Sequence, residues 1–143
     1  MVEHSDHAYK LAQRDVIKLK QKIEEQNFIN PEIAEQHKEA GNEAMKASNF
    51  AKAIEEYTMA IKRNPSNAAY YSNRSAAYIK VMDLGNAQKD VEKGLQIDPT
   101  FSKLYIWLGN VYNLMKKYHK ALEAYDKGCL LYTSPSPRDR QKS

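Results

Sequence analysis

Two periods run through the apolar positions of this chain, a short one of three and four residues and a long one of 34. The short period predicts helices. Ala12, Val16, Leu19 and Ile23 form one narrow apolar stripe in an otherwise charged helix from Val2 to Gln26. A linker helix is the expected role, because the stripe is short for coiled-coil pairing. Beyond it the pattern predicts paired helices over 34–46 and 51–63, 68–81 and 84–97, and 102–115 with a partner from Tyr118 onward. Asn30-Pro31, Asn64-Pro65 and Asp98-Pro99 separate these units. Each disfavours helix before the proline and suits the first turn of the next helix. Ser48-Asn49 supplies the turn inside the first pair.

The long period is carried by residue size. Pro31, Pro65 and Pro99 stand 34 residues apart. So do Gly41, Ser75 and Gly109, then Ala53, Ala87 and Ala121, then Ala60, Gly94 and Gly128. Tyr57, Val91 and Tyr125 keep the step, as do Ala44, Tyr78 and Tyr112. Small residues are needed where the two helices of a pair cross, since a bulky side chain would force the axes apart. A 34-residue step with small residues at fixed phases marks the tetratricopeptide repeat. The expected fold is all-α: a superhelix of three helix-turn-helix units, at 34–67, 68–101 and 102–128, the last incomplete. A charged linker helix over 1–30 precedes them. The first helix of each unit is expected to line the concave side. The capping helix of such arrays is missing, so the outer face of the last helix, including Leu122, should lack cover.

Composition narrows the function classes. The chain has 143 residues, enough for one domain, with 42% hydrophobic and 28% charged residues, as in a globular protein. No apolar run reaches the length of a membrane span, and the charged N-terminal stretch is not a secretory signal. A cytoplasmic protein, also compatible with the nucleus, is expected, with no membrane partner. The formal charge is +4. Its Lys and Arg are scattered and no nucleic-acid-reading motif accompanies them, so no nucleic acid is expected as partner. His4 and His7 have no carboxylate constellation beside them, and neither a metal nor a cofactor is expected.

The tail breaks the rhythm. Where phase asks for another proline stands Thr133, and Pro135 and Pro137 follow. The peptide Cys129-Leu-Leu-Tyr-Thr-Ser-Pro-Ser-Pro-Arg-Asp139 resembles the translation of a transposon-based sequencing adapter. Residues 129–143 are therefore expected to be non-native, with native sequence ending at about Gly128. The segment holds the only cysteine, and it carries three basic residues against one acid, so the native part has a charge of +2.

Four polar residues on the first helices of the units form the candidate site. Lys38 and Asn42 lie one turn apart and present both heads to one point. Asn73 occupies the matching face of the second unit, and Lys103 opens the third. Asn is a poor choice inside a helix, because its side chain competes for backbone hydrogen bonds, so Asn42 and Asn73 ask for a reason. Two ammonium groups and two amides in one groove make a receptor for carboxylates, and capture of a C-terminal carboxylate is an established mode of peptide recognition. Arg74, by contrast, is expected to pack its stem between helices.

Lys38-Glu-Ala-Gly-Asn42, Tyr71-Ser-Asn-Arg74-Ser-Ala-Ala and Lys103-Leu-Tyr resemble the carboxylate-clamp tetratricopeptide modules of heat-shock co-chaperones. Within that family the pattern is nearest to the third three-repeat module of the chaperone-organising co-chaperones, which a charged linker helix also precedes. The resemblance covers Tyr9 to Gly128. It implies binding of the Glu-Glu-Val-Asp carboxyl terminus of the seventy- or ninety-kilodalton heat-shock chaperones, the seventy-kilodalton class first. It also implies that Lys38, Asn42, Asn73 and Lys103 are clamp positions. The fifth position, normally Arg, is Trp107 here. Trp lacks the guanidinium fork, and loss of one charge-assisted contact of about 1.5–3 kcal/mol weakens binding ten- to a hundredfold. Alternatively, Trp107 offers an aromatic surface to an apolar ligand side chain.

The leading expectation is a non-enzymatic adaptor, since no nucleophile–base pair, phosphate-binding loop or metal cluster is present. Two alternatives stand beside it: a general interaction scaffold with a diverged groove, and the targeting module of a truncated phosphatase or prolyl isomerase.

Overall fold

In the computed structural model, residues 2–133 are described. They form seven helices: α1 (Val2–Phe28), α2 (Pro31–Lys46), α3 (Phe50–Arg63), α4 (Ala68–Lys80), α5 (Leu84–Ile97), α6 (Ser102–Leu114) and α7 (Tyr118–Thr133). Helices α2–α3, α4–α5 and α6–α7 pair as antiparallel hairpins, and α3 packs on α4 and α5 on α6. This is the expected all-α tetratricopeptide superhelix.

The boundaries follow from local chemistry. Asn30, Asn64 and Asp98, each before a proline, all have extended backbone, with φ between −149° and −138°. Pro31 opens α2, as expected. Pro65 and Pro99 instead stand in turns, and α4 and α6 begin three residues later. At the second boundary Asn67 provides the reason: its side chain accepts from the Ala69 N–H at 3.0 Å and caps α4. Within the hairpins, Ser48, Met82 and Lys116 each adopt positive φ, 56°, 60° and 62°. They are 34 residues apart, so one left-handed residue ends the first helix of every unit. The next residue caps the second helix. Asn49 accepts from Lys52 N–H at 3.2 Å and Asp83 from Asn86 N–H at 3.3 Å. At the same phase of the third unit stands Lys117, whose side chain has no acceptor.

The small residues do the work their spacing implies. A methyl group on Gly41 would come within 2.5 Å of the Tyr57 ring, and Gly109 faces the Tyr125 ring in the same way. The second unit changes both partners together. Ser75 replaces the glycine and Val91 the tyrosine, so a larger helix-crossing residue is matched by a smaller one opposite. Ala53, Ala60 and Ala87 are fully buried. Between units, Gly94 of α5 receives Leu104 of α6, and within its own hairpin it lies against Tyr71 of α4. The core is accordingly a series of small clusters, two where the first unit meets α4 and one where the second unit meets α6.

Helix α1 is exposed along its length from Ser5, its apolar stripe included. It is fixed only at its C-terminal end. There the Arg63 guanidinium stacks on Phe28 at 3.8 Å and donates to the Phe28 carbonyl at 3.2 Å. At the other end Leu122 is 60% exposed, as an uncovered last helix requires. Helix α7 continues past Gly128 to Thr133. The prolines of the suspected adapter-derived tail lie outside the described residues.

Candidate functional site

The predicted site residues lie on α2, α4 and α6. Helix α4 packs directly on α6. Helix α2 is tied to α4 by the Glu35 carboxylate, which accepts the Tyr70 hydroxyl at 2.5 Å. The other oxygen of Glu35 accepts from the Lys38 ammonium at 2.6 Å. Lys38 therefore leans along α2 toward the α4 side, with its side chain 28% exposed. Lys38 and Tyr70 together hold the Glu35 carboxyl below the ordinary glutamate value. Burial and the Glu35 charge push the Tyr70 phenol up to about 12. Tyr70 is fully buried, so the carboxylate is anchored on an immobile partner.

Asn42 is half-buried one turn further along. Its side-chain oxygen accepts the Tyr57 hydroxyl at 2.6 Å. The interaction fixes the amide plane, leaving the two N–H groups without a partner among the described residues. The glycine at 41 is what lets the Tyr57 ring pass beneath α2 to reach it. Here lies the structural reason for an asparagine in mid-helix, and it leaves the donor side available. Asn73 is also half-buried and makes no side-chain hydrogen bond among the described residues. Lys103 is exposed and takes part in no ion pair among them.

Trp107, one 34-residue step after Asn73, is half-buried and packs on the seam cluster of Ala68, Val91 and Leu104. Its ring N–H is buried and unpartnered. The indole is thus largely part of the seam between the second and third units. Arg74 serves structure, as expected. It donates from Nε and Nη2 to the two Asp90 oxygens at 2.7 and 2.6 Å and from Nη1 to Thr58 at 3.1 Å, joining α4, α5 and α3. The side chains are only 18% and 6% exposed. Burial pushes the Asp90 carboxyl up, and the guanidinium opposes that rise.

One residue of this face escaped the sequence reading. Asn110 stands 68 residues after Asn42 and repeats its device, accepting the Tyr125 hydroxyl at 2.6 Å. The sequence signal was that two of the three Gly-Asn dipeptides, Gly41-Asn42 and Gly109-Asn110, are each followed by a tyrosine at the same distance. Among the described residues no group of His, Cys, Asp or Glu could hold a metal ion, and no helix is long and apolar enough to cross a membrane.

Three hairpins at a 34-residue step, with polar side chains on their first helices, define a tetratricopeptide repeat domain, and the chain belongs to that family. A family model described as tetratricopeptide repeat matches residues 91–123. Within the family the chain is closely related to the modules of the Hsp70-Hsp90 organizing proteins, also called Hop or Sti1. It is 45% identical over 111 residues to Hsp70-Hsp90 organizing protein 1 of Glycine max, covering 78% of this chain and 19% of that protein. The chain thus spans about a fifth of the length of the curated relatives it matches. Among solved structures, it resembles the TPR2AB domain of yeast Sti1 in complex with an Hsp90 peptide, with TM-score 0.74 and 36% identity over 80% of this chain and 45% of that one. It also resembles the TPR2B domain of yeast Sti1 in complex with an Hsp70 peptide, with TM-score 0.68 and 33% identity over 76% of this chain and 88% of that one.

Proposed function

We propose that this chain is a non-enzymatic co-chaperone adaptor module that binds the acidic C-terminal tail of a cytosolic heat-shock chaperone. Lys38, Asn42, Asn73 and Lys103 are the groove residues in this reading, with Trp107 where the family has Arg. The observation that carries it is the Asn42 side chain, whose oxygen is occupied by Tyr57 and whose two N–H groups are left to donate. A carboxylate is the natural acceptor for such donors beside ammonium groups. The seventy-kilodalton class is placed first in this reading because the sequence is nearest to the third three-repeat module of the family, while the likeness to Sti1 modules holding an Hsp70 and an Hsp90 peptide supports a chaperone tail of either class. The division proposed is a linker helix over 1–30, repeats over 31–128 and a non-native tail over 129–143.

The test is calorimetric titration with a peptide ending in Glu-Glu-Val-Asp. Binding is expected for the free acid, weakening as salt rises, and is expected to be lost in Lys38→Glu. Equal binding of the C-terminally amidated peptide would refute the carboxylate site. No response to either chaperone tail would favour the second reading, a general scaffold with a diverged groove, which the absence of an arginine at 107 motivates.

A further inference from the structure

We infer that Glu35 is an internal competitor for the proposed peptide site, an acid of the chain itself that occupies Lys38 until a ligand carboxylate takes its place. This rests on the carboxylate-binding reading given above. Glu35 and Lys38 are three residues apart on α2 and their heads meet at 2.6 Å.

An ordinary surface pair of this kind opens and closes freely. This one differs on the acid side. The second Glu35 oxygen is held by the hydroxyl of Tyr70, a ring with no exposed surface, at 2.5 Å. The carboxylate therefore stays in place whether or not Lys38 is with it. The ammonium has no such anchor. It sits on a flexible stem and can turn from one acid to another. The pair is consequently asymmetric: an incoming carboxylate draws Lys38 away and leaves Glu35 behind on Tyr70.

The charge balance makes the competition matter. Of the two candidate ammonium groups, Lys38 is neutralised locally by Glu35, and Lys103 is unpaired among the described residues. With tryptophan rather than arginine at 107, Lys103 is the candidate residue left with an uncompensated charge among the described residues. Glu35 thereby sets a threshold. A fully ionised peptide end with several acids displaces it, and a neutral or amidated end does not.

Glu35→Gln keeps an acceptor for the Tyr70 hydroxyl and removes the charge. At low salt it is expected to bind the free-acid Glu-Glu-Val-Asp peptide about fivefold more tightly than the unaltered chain. The gain should shrink at high salt and be absent with the amidated peptide. Tyr70→Phe releases the anchor and is expected to give a smaller gain of the same sign. In the unaltered chain, saturating peptide should raise the titration midpoint of the Glu35 carboxyl carbon signal, because Lys38 has left it. Unchanged or weaker binding by Glu35→Gln, or a Glu35 midpoint indifferent to peptide, overturns the competition and leaves the carboxylate site standing. Failure of every protein, Glu35→Gln included, to bind either chaperone tail overturns both.

Discussion

The Tyr57 hydroxyl sets the orientation of Asn42: it donates to the side-chain oxygen at 2.6 Å from beneath Gly41, across the crossing of α2 and α3. A packing detail of the first hairpin thus aims a donor of the candidate groove. Tyr57→Phe should lower stability by about 1 kcal/mol, the value of one partly buried hydrogen bond. It should also weaken free-acid peptide binding several-fold, because the freed amide can turn either way. Thermal unfolding and titration on the same variant separate the two effects.

Arg74 and Asp90 present a different kind of constraint, a charge pair that is costly to break on one side only. Arg74→Met leaves the Asp90 carboxylate buried without a partner and should destabilise the domain by about 3 kcal/mol. Arg74→Met combined with Asp90→Leu should recover most of that loss. Urea unfolding of the three proteins measures both terms. A single variant as stable as the unaltered chain would contradict the placement of the pair.

The third hairpin lacks the cap that Asn49 and Asp83 provide in the first two. Lys117→Asn restores an acceptor at the start of α7 and should stabilise the domain by ~1 kcal/mol. The comparison that checks it is the midpoint of thermal unfolding, with Lys117→Ala as the control that removes the charge and adds no cap.

Glu35 gives a signature in acid. Its folded-state carboxyl lies below the ordinary glutamate value, chiefly through the hydrogen bond from Lys38 and then that from Tyr70. A group with a lowered folded value stabilises the fold above its unfolded value, and the contribution is lost as pH falls through the folded one. A nuclear magnetic resonance titration should therefore place the Glu35 midpoint below the ordinary glutamate value. In Lys38→Met it should move up toward that value.

Trp107→Arg tests what the absence of arginine costs at the proposed fifth clamp position. Restored charge should strengthen free-acid peptide binding about tenfold. The same change removes an indole from the cluster with Ala68, Val91 and Leu104, so the unfolding temperature should fall. Affinity and stability moving in opposite directions is the outcome expected.

The architecture was legible because size recurs at a fixed step. Gly41 and Tyr57, and Gly109 and Tyr125, are fitted pairs, with Ser75 and Val91 at the same phases of the second unit, and a sequence states such pairs openly. The helix starts at Ala68 and Ser102 were also readable, although Pro65 and Pro99 sit in the turns before them. The candidate residues could be proposed from the sequence, but their surroundings could not. Glu35 had no distinguishing mark among many glutamates, since its role depends on Tyr70, 35 residues away. Asn110 was hidden because the second unit breaks the Gly-Asn pattern, with Ser75-Ala76 at that phase. The burial of the Trp107 ring N–H depends on neighbours contributed by three helices.

The chain contains a single tryptophan, and it stands at the seam beside the candidate groove. Its ultraviolet emission can therefore come from one place only. A ligand that dries or reshapes that seam will change its colour and intensity, so the domain carries its own optical gauge of occupancy and needs no attached dye.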